Sequence, residues 1–362
     1  MNDARIAEET VPAELRGRPV VVLAGGRSGE REVSLRSGAA VHGALEPHVG
    51  DSGLASLELV EIGVDGQWMR AGSATEPTRC VAELPHDAVF FLALHGGDGE
   101  DGGVQGFLSS AGRAFTGSGV GASALAMDKA AARAAFSVAG LRTAPGRLVQ
   151  AWSWSERRNG ELVLIEQFAD ELHADALPAS GWFVKPNRGG SSVHTFRLES
   201  AKDLPGAIEE VLATGDSALV EACIAGTEAT CGVLGASGDA RALPPVEIVP
   251  QGGAFFDYEQ KYSTDGALEM CPPRNLDART CEALAASALV AHRALGCDGY
   301  SRTDFIVPAD GSHPVVLELN TLPGLTARSL QPQAAAACGL GFAGLCLEVL
   351  RLGALADRGR SR

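Results

Sequence analysis

The sequence predicts an α/β protein that begins with an open parallel sheet. Two observations carry this. Apolar runs end in glycines at PVVVLAGG (residues 19–26) and AVFFLALHGG (88–97), as buried parallel strands do when they feed a loop. Segments with helical character follow them at 32–45, around 103–110 and, rich in Ala, at 127–139. A short strand and the loop TGSGVGAS (116–123) precede the last of these helices.

The remaining elements follow in order. WFVKP (182–186) reads as a strand, NRGGSS (187–192) as a loop and VHTFRL (193–198) as a strand. ALVEACI (218–224) and EATCGVLG (228–235) are further strands. Residues 251–273, with many Gly, Pro and aromatic residues and little period, read as a long loop. A long Ala/Leu helix is expected at 278–295, then strands YSRTDFIV (300–307) and PVVLELN (314–320), a loop and a closing helical region. Residues 150–179, with Trp152 and Trp154, match no pattern.

Composition narrows the function. With 45% hydrophobic and 21% charged residues over 362 positions, a folded chain of two or three domains is expected. A net charge of -15, with 45 acidic against 30 basic residues, argues against a nucleic-acid partner, whose phosphates need clustered Lys and Arg. The polar start and the lack of a long apolar run predict neither a signal peptide nor a membrane span. The 8 Cys have no CxxC spacing and read as reduced thiols of a cytoplasmic protein.

Chemistry concentrates in a few places. Alternate residues of a strand share a face, so Glu318 and Asn320 project together, as do Arg302 and Asp304. If the two strands pair, three oxygen-bearing side chains converge beside a guanidinium, a set that suits Mg²⁺; a solvated polar strand face is the competing reading. KPNRGGSS can wrap phosphate oxygens with backbone N–H groups, or be a plain hairpin turn. GGRSGEREVSLRSG (25–38) and HGGDGEDG (95–102) lie at the carboxyl ends of the first two strands, where open α/β sheets bind ligands. GSGVG (117–121) lacks the βαβ context of a dinucleotide fingerprint.

The strings GGRSGEREVSLRSG, LHGGDGEDGGVQG, FTGSGVGASALAMDK, VKPNRGGSSV, FFDYEQKYS, RTDF and LELNTLPGLTARSL, in this order, resemble those of the D-alanine–D-alanine ligases of the ATP-grasp superfamily. The resemblance implies an ATP-grasp fold behind an N-terminal α/β domain. Its domains would span 1–124, a central 125–225 with the phosphate loop, and a C-terminal 226–362 with the metal site and a mobile lid at 251–273. It implies a cytoplasmic, ATP-dependent ligase that joins two D-alanines through an acyl phosphate for peptidoglycan precursors. It also implies two Mg²⁺ (or Mn²⁺) ions and small-molecule partners only, with a homodimer expected by analogy.

Roles carry over residue by residue. Glu30 would hold the ammonium of the first D-alanine, and His95 would line that site. Lys129 and Lys185 would contact the α- and β-phosphates, with Ser191 and Ser192 in the phosphate loop. Glu221 would flank the adenosine and Glu228 reach its ribose. Lys261 and Tyr262 would sit on the lid, Tyr262 linking to the phosphate-loop serine and to Glu30 and favouring an amine nucleophile. Arg302 and the Gly324 N–H would stabilise developing negative charge. Asp304, Glu318 and Asn320 would bind the metals, and Ser329 the carboxylate of the second D-alanine. One departure stands out: His194 follows Val193 where the family usually has Gly. A carboxylate–amine ligase of secondary metabolism and a nucleotide-binding regulator without turnover are the alternatives.

Overall fold

A computed structural model describes residues 10–156, 179–189, 194–236, 238–249 and 268–360. The first unit comprises β1 (Pro19–Gly25), α1 (Arg31–Leu45), β2 (Ser56–Ile62), β3 (Trp68–Arg70), β4 (Ser73–Thr75), α2 (Pro77–Glu83), β5 (Val89–Leu92), α3 (Gly103–Ser110) and β6 (Ala114–Phe115). Its sheet has the order β4-β3-β2-β1-β5-β6. β1 runs parallel to β2 and β5, and β5 parallel to β6. Every residue of β1 is buried, which is why it reads as an unbroken apolar run. Between residues 45 and 88, where the sequence predicts no element, lie β2 to β4 and α2; β3 and β4 form an antiparallel edge. These strands are short or half-exposed, so no continuous apolar run marks them.

The chain continues through α4 (Val120–Met127), α5 (Lys129–Val138), β7 (Arg142–Thr143), β8 (Gly146–Val149), α6 (Ala151–Glu156), β9 (Ala179–Pro186), β10 (Phe196–Leu198), α7 (Leu204–Ala213) and β11 (Ala218–Ile224). The helix expected over 127–139 is two helices, the first reaching back into the expected loop. Asp128 separates them in an extended conformation, and its carboxylate caps α5 by accepting from the Ala131 N–H at 3.0 Å. The second sheet, β10-β9-β11-β8, is antiparallel. Its apolar face (Val184, Ala218, Val220) packs on Leu204, Ile208 and Val211 of α7.

The last stretch contains β12 (Gly226–Leu234), β13 (Arg241–Ala242), β14 (Val246–Val249), β15 (Leu268–Met270), α8 (Ala278–Ala294), β16 (Tyr300–Pro308), β17 (Val315–Asn320), α9 (Leu330–Ala337) and α10 (Phe342–Arg360). The third sheet has the order β15-β14-β12-β16-β17-β7, with β13 pairing beside β12. Phe136 of α5 and Leu284 and Ala288 of α8 close its apolar face over Cys231, Phe305 and Leu319. Of the loop expected at 251–273, residues 251–267 lie outside the described residues, and Leu268–Met270 form a strand instead. The loop back from that strand is fixed by buried Glu247, whose carboxylate accepts from the Arg274 and Asn275 backbone N–H groups at 3.0 and 2.9 Å.

The closing helix returns to the beginning. Leu345, Val349 and Leu350 of α10 share one buried cluster with Val20, Val22 and Phe90 of the first sheet. Among the described residues no single helix is long and apolar enough to cross a membrane. The free cysteines are mostly buried, consistent with reduced thiols.

Candidate active site

The site grows from the register of two neighbouring strands. β16 and β17 pair antiparallel, with Arg302 opposite Asn320 and Asp304 opposite Glu318. Cross-strand partners share a face, so the four side chains that the sequence predicts to converge do so. The Arg302 guanidinium donates to both oxygens of Asp304 at 2.8 Å, and the Asn320 amide donates to Asp304 Oδ2 at 3.2 Å. From the other neighbouring strand, the Thr230 hydroxyl donates to Asp304 Oδ1 at 2.7 Å. Glu318 reaches Lys129, with Oε2 3.6 Å from Nζ.

Lys129 is the first residue of α5 and is tied to the turn after β9. Its backbone N–H donates to the Asn187 carbonyl at 3.1 Å, and its ammonium donates to the Gly189 carbonyl. The Asn187 side chain donates to Asp128 Oδ1 and accepts from the Ala130 N–H, both at 2.9 Å. These bonds set Lys129 between the second sheet and the carboxylates of the third.

Lys185 lies on β9, across from Leu219 on β11. Its Nζ is 2.5 Å from Glu221 Oε2. Arg133 of α5, which the sequence reading does not single out, meets the other oxygen of Glu221 at 2.9 Å. Glu221 is buried, and a buried carboxylate needs such partners. Glu228 is half-buried on β12, opposite Ile248 and Ile306.

The glycine-rich loops of the first sheet complete the other wall. The buried Ser34 hydroxyl accepts from the Gly25 N–H at 2.8 Å and donates to the Ala93 carbonyl at 2.6 Å, joining the ends of β1 and β5. Ser28 donates to the His95 carbonyl at 2.6 Å. Glu30 lies over Gly96, where an added Cβ would come within 2.5 Å of Glu30 Oε2 and where φ is +64°, so only glycine fits. The His95 imidazole is buried, with Nε2 3.0 Å from the Ser37 hydroxyl. Burial pushes its pKa down to about 4, against a hydrogen bond with the Leu322 backbone; Arg302 lowers it further. His95 is therefore a neutral ring at neutral pH.

Glu100 is a second residue that the sequence reading passes over. Its Oε2 accepts from the Gly96 N–H at 3.0 Å. Burial, then the charge of Glu30, pushes its pKa up to about 7; Glu318 adds to this, while the Gly96 and Leu322 backbones oppose it. Glu100 thus stands within electrostatic reach of Glu30, before α1, and of Glu318 on β17. The available signal was a second acid in a loop already marked by His95.

Beyond β17, Gly324 and Ser329 face one another: a Cβ on Gly324 would lie 3.1 Å from Ser329 Oγ. Ser329 Oγ is 2.8 Å from the Thr326 hydroxyl and accepts from the Thr326 N–H at 3.1 Å. The structure pairs Lys185 with Glu221, sets Lys129 on Glu318, and joins Arg302 and Asn320 to Asp304, which lies opposite Glu318. Ser191, Ser192, Lys261 and Tyr262 lie outside the described residues. His194 is exposed with φ +54°, a backbone conformation natural to glycine, which accounts for the glycine usual there in the family.

The model of the D-ala D-ala ligase C-terminus matches residues 138–351. A D-alanine–D-alanine ligase from Halalkalibacterium halodurans is 40% identical over 326 residues, covering 89% of this chain and 95% of the relative. The chain belongs to the D-alanine–D-alanine ligase family. A second such ligase, from Oleidesulfovibrio alaskensis, is 39% identical and covers 95% of this family member and 98% of its own length. Among solved structures, the D-Ala:D-Ser ligase VanG from Enterococcus faecalis matches with TM-score 0.76 and 27% identity, over 93% of this chain and 100% of that one. The D-alanine–D-alanine ligase from Coxiella burnetii shares the fold, with TM-score 0.77 and 24% identity over 96% of each chain.

Proposed function

We propose that the chain joins two D-alanines to D-alanyl-D-alanine with cleavage of ATP to ADP and phosphate, for peptidoglycan precursor synthesis. The observation that carries the reading is the shared face of Arg302, Asp304, Glu318 and Asn320 on two paired strands, met by Lys129, within a chain of this family.

A carboxylate is a poor electrophile. The carboxylate of the first D-alanine attacks the γ-phosphorus of ATP, the bond to the ADP oxygen breaks, and an acyl phosphate forms. The amine of the second D-alanine then attacks the acyl carbon. Inorganic phosphate leaves and the amine gives up a proton.

The chain's residues serve these steps by position and charge. Glu30 holds the ammonium of the first D-alanine, and neutral His95 lines its pocket without adding a charge beside Arg302. Lys129 and Lys185 contact the α- and β-phosphates, and Ser191 and Ser192 belong to the phosphate loop. Glu221 flanks the adenosine and Glu228 its ribose. Lys261 serves nucleotide binding and Tyr262 favours an amine nucleophile. Arg302 and the Gly324 N–H stabilise the oxyanion of the tetrahedral intermediate, and Ser329 holds the carboxylate of the second D-alanine. Asp304, Glu318 and Asn320 fit two Mg²⁺ (or Mn²⁺) ions, because their donors are oxygen only and a hard cation takes one or two carboxylates plus phosphate oxygens. Such ions neutralise phosphate charge when bound. Within the described residues, Asp304 is meanwhile neutralised by Arg302, and Glu318 faces Lys129.

The domain limits 1–124, 125–225 and 226–362, the cytoplasmic location and a homodimer belong to the same reading. Incubation with ATP, Mg²⁺ and D-alanine, assayed for ADP and dipeptide, tests it. Folded protein that releases no ADP above background refutes it. A preference for other amino acids would move the chain to a ligase of different substrates.

A further inference from the structure

The side chain of Gln333, on the first turns of α9, uses both amide N–H groups. One donates to Glu269 Oε2 on β15, and the other to the Arg328 carbonyl at 2.7 Å. Glu269 sits opposite Ile248 of β14, so its carboxylate is anchored through two strands of the third sheet. Arg328 directly precedes Ser329. The Ser329 backbone is held from the same helix, because the Gln333 N–H donates to the Ser329 carbonyl at 3.1 Å. Glu269 also lies within electrostatic reach of Arg302 and Arg328.

We propose that Gln333, oriented by Glu269, is a positioning residue for the second amino-acid subsite: it pins the Arg328 carbonyl and so holds the Ser329 hydroxyl at its place over Gly324. The assignment rests on the reading of Ser329 as the group that binds the carboxylate of the second D-alanine. Two donors diverging from one atom are needed, and the Gln333 amide nitrogen supplies them without adding a charge. A carboxylate at 333 has none, and a methionine has none. Besides the Gln333 N–H bond to the Ser329 carbonyl, the turn 326–329 is closed on itself through the Thr326–Ser329 bonds. Without the side-chain pin the Arg328 peptide can turn and carry the Ser329 hydroxyl off its place, which weakens a carboxylate contact while leaving the nucleotide contacts on β9, β11 and α5 in place.

The test uses the full-length protein and initial rates over several decades of D-alanine, resolved into two Michaelis constants, together with the KM for ATP and the melting temperature. Gln333→Glu should raise the second D-alanine KM about fivefold or more, the worth of one hydrogen bond, and leave the first D-alanine and ATP constants unchanged. The swapped pair Glu269→Gln with Gln333→Glu restores a donor–acceptor bond between strand and helix but offers no donor to Arg328. It should therefore recover melting temperature and keep the raised KM. Gln333→Met, uncharged and of similar length, repeats the KM shift if Gln333→Glu does not fold. A second KM within twofold of wild type in Gln333→Glu and Gln333→Met overturns the proposal. So does a swapped pair that recovers KM and melting temperature together, because Gln333 would then serve packing alone. Wild-type protein that makes no ADP with D-alanine refutes the underlying reading instead.

Discussion

Replacing Glu100 with Gln should change how stability depends on pH, with a sign set by its surroundings. The folded pKa is pushed up to about 7 from an ordinary 4.5 by burial and the nearby Glu30 charge. The folded state therefore keeps a proton that the unfolded state releases over this window. The stabilisation is complete below pH 4.5 and is lost as pH rises through 7. At 1.36 kcal/mol per unit, the loss is about 3 kcal/mol. His95 and His292 work in the opposite sense. Burial pushes both down to about 4, so the unfolded state takes up protons that the folded state refuses, and stability rises between pH 4 and 6.5. In the wild type these slopes oppose one another over most of the range. Gln at 100 keeps a carbonyl oxygen for the Gly96 N–H but cannot ionise. Urea unfolding of both proteins at pH 4.5, 5.5, 6.5 and 7.5, without nucleotide or metal, measures the difference. The variant should gain on the wild type by about 3 kcal/mol from the lowest to the highest pH. A difference that stays flat would mean that Glu100 ionises as an ordinary surface carboxylate, and the account of its burial would be wrong.

Three other outcomes follow from the same structure. Glu318→Ala should lower the rate of ADP release by at least about a hundredfold, with the melting temperature changed little, because its side chain serves charge at the site more than packing; retained activity contradicts its role. Phe305→Ala empties a fully buried ring site between the third sheet and α5 and α8 and should cost about 3–5 kcal/mol in chemical denaturation; a loss under 1 kcal/mol would show that the cluster is not packed as described. Gly25→Ala places a Cβ 2.5 Å from the Ile62 carbonyl at φ +92°, so thermal unfolding should shift down by several degrees; an unchanged midpoint would refute the steric reading.

Much of the site was legible because its chemistry follows strand periodicity. Asp304 and Glu318 each sit two residues from their partners, Arg302 and Asn320, so pairing β16 with β17 was enough to converge them. The glycine-rich loops were legible because apolar runs ended in them, and Gly96 shows why glycine is required there. Other features were not legible. The break between α4 and α5 depends on one Asp that caps a helix inside an Ala-rich run, where propensity alone favours continuation. Strands β2 to β4 lack the length and apolar continuity that mark a buried strand.

The amino-acid sequence by itself determined the α/β class, the order of the loops and which side chains share a strand face, because these depend on local period and on glycine's backbone freedom. Only the tertiary structure decided that Arg133 shares Glu221 with Lys185, that Glu100 meets the fields of Glu30 and Glu318, and that α10 closes over the first sheet. Each of these joins residues far apart in the chain. Burial and Coulomb interaction act through distance in space, and no local pattern of residues encodes that distance.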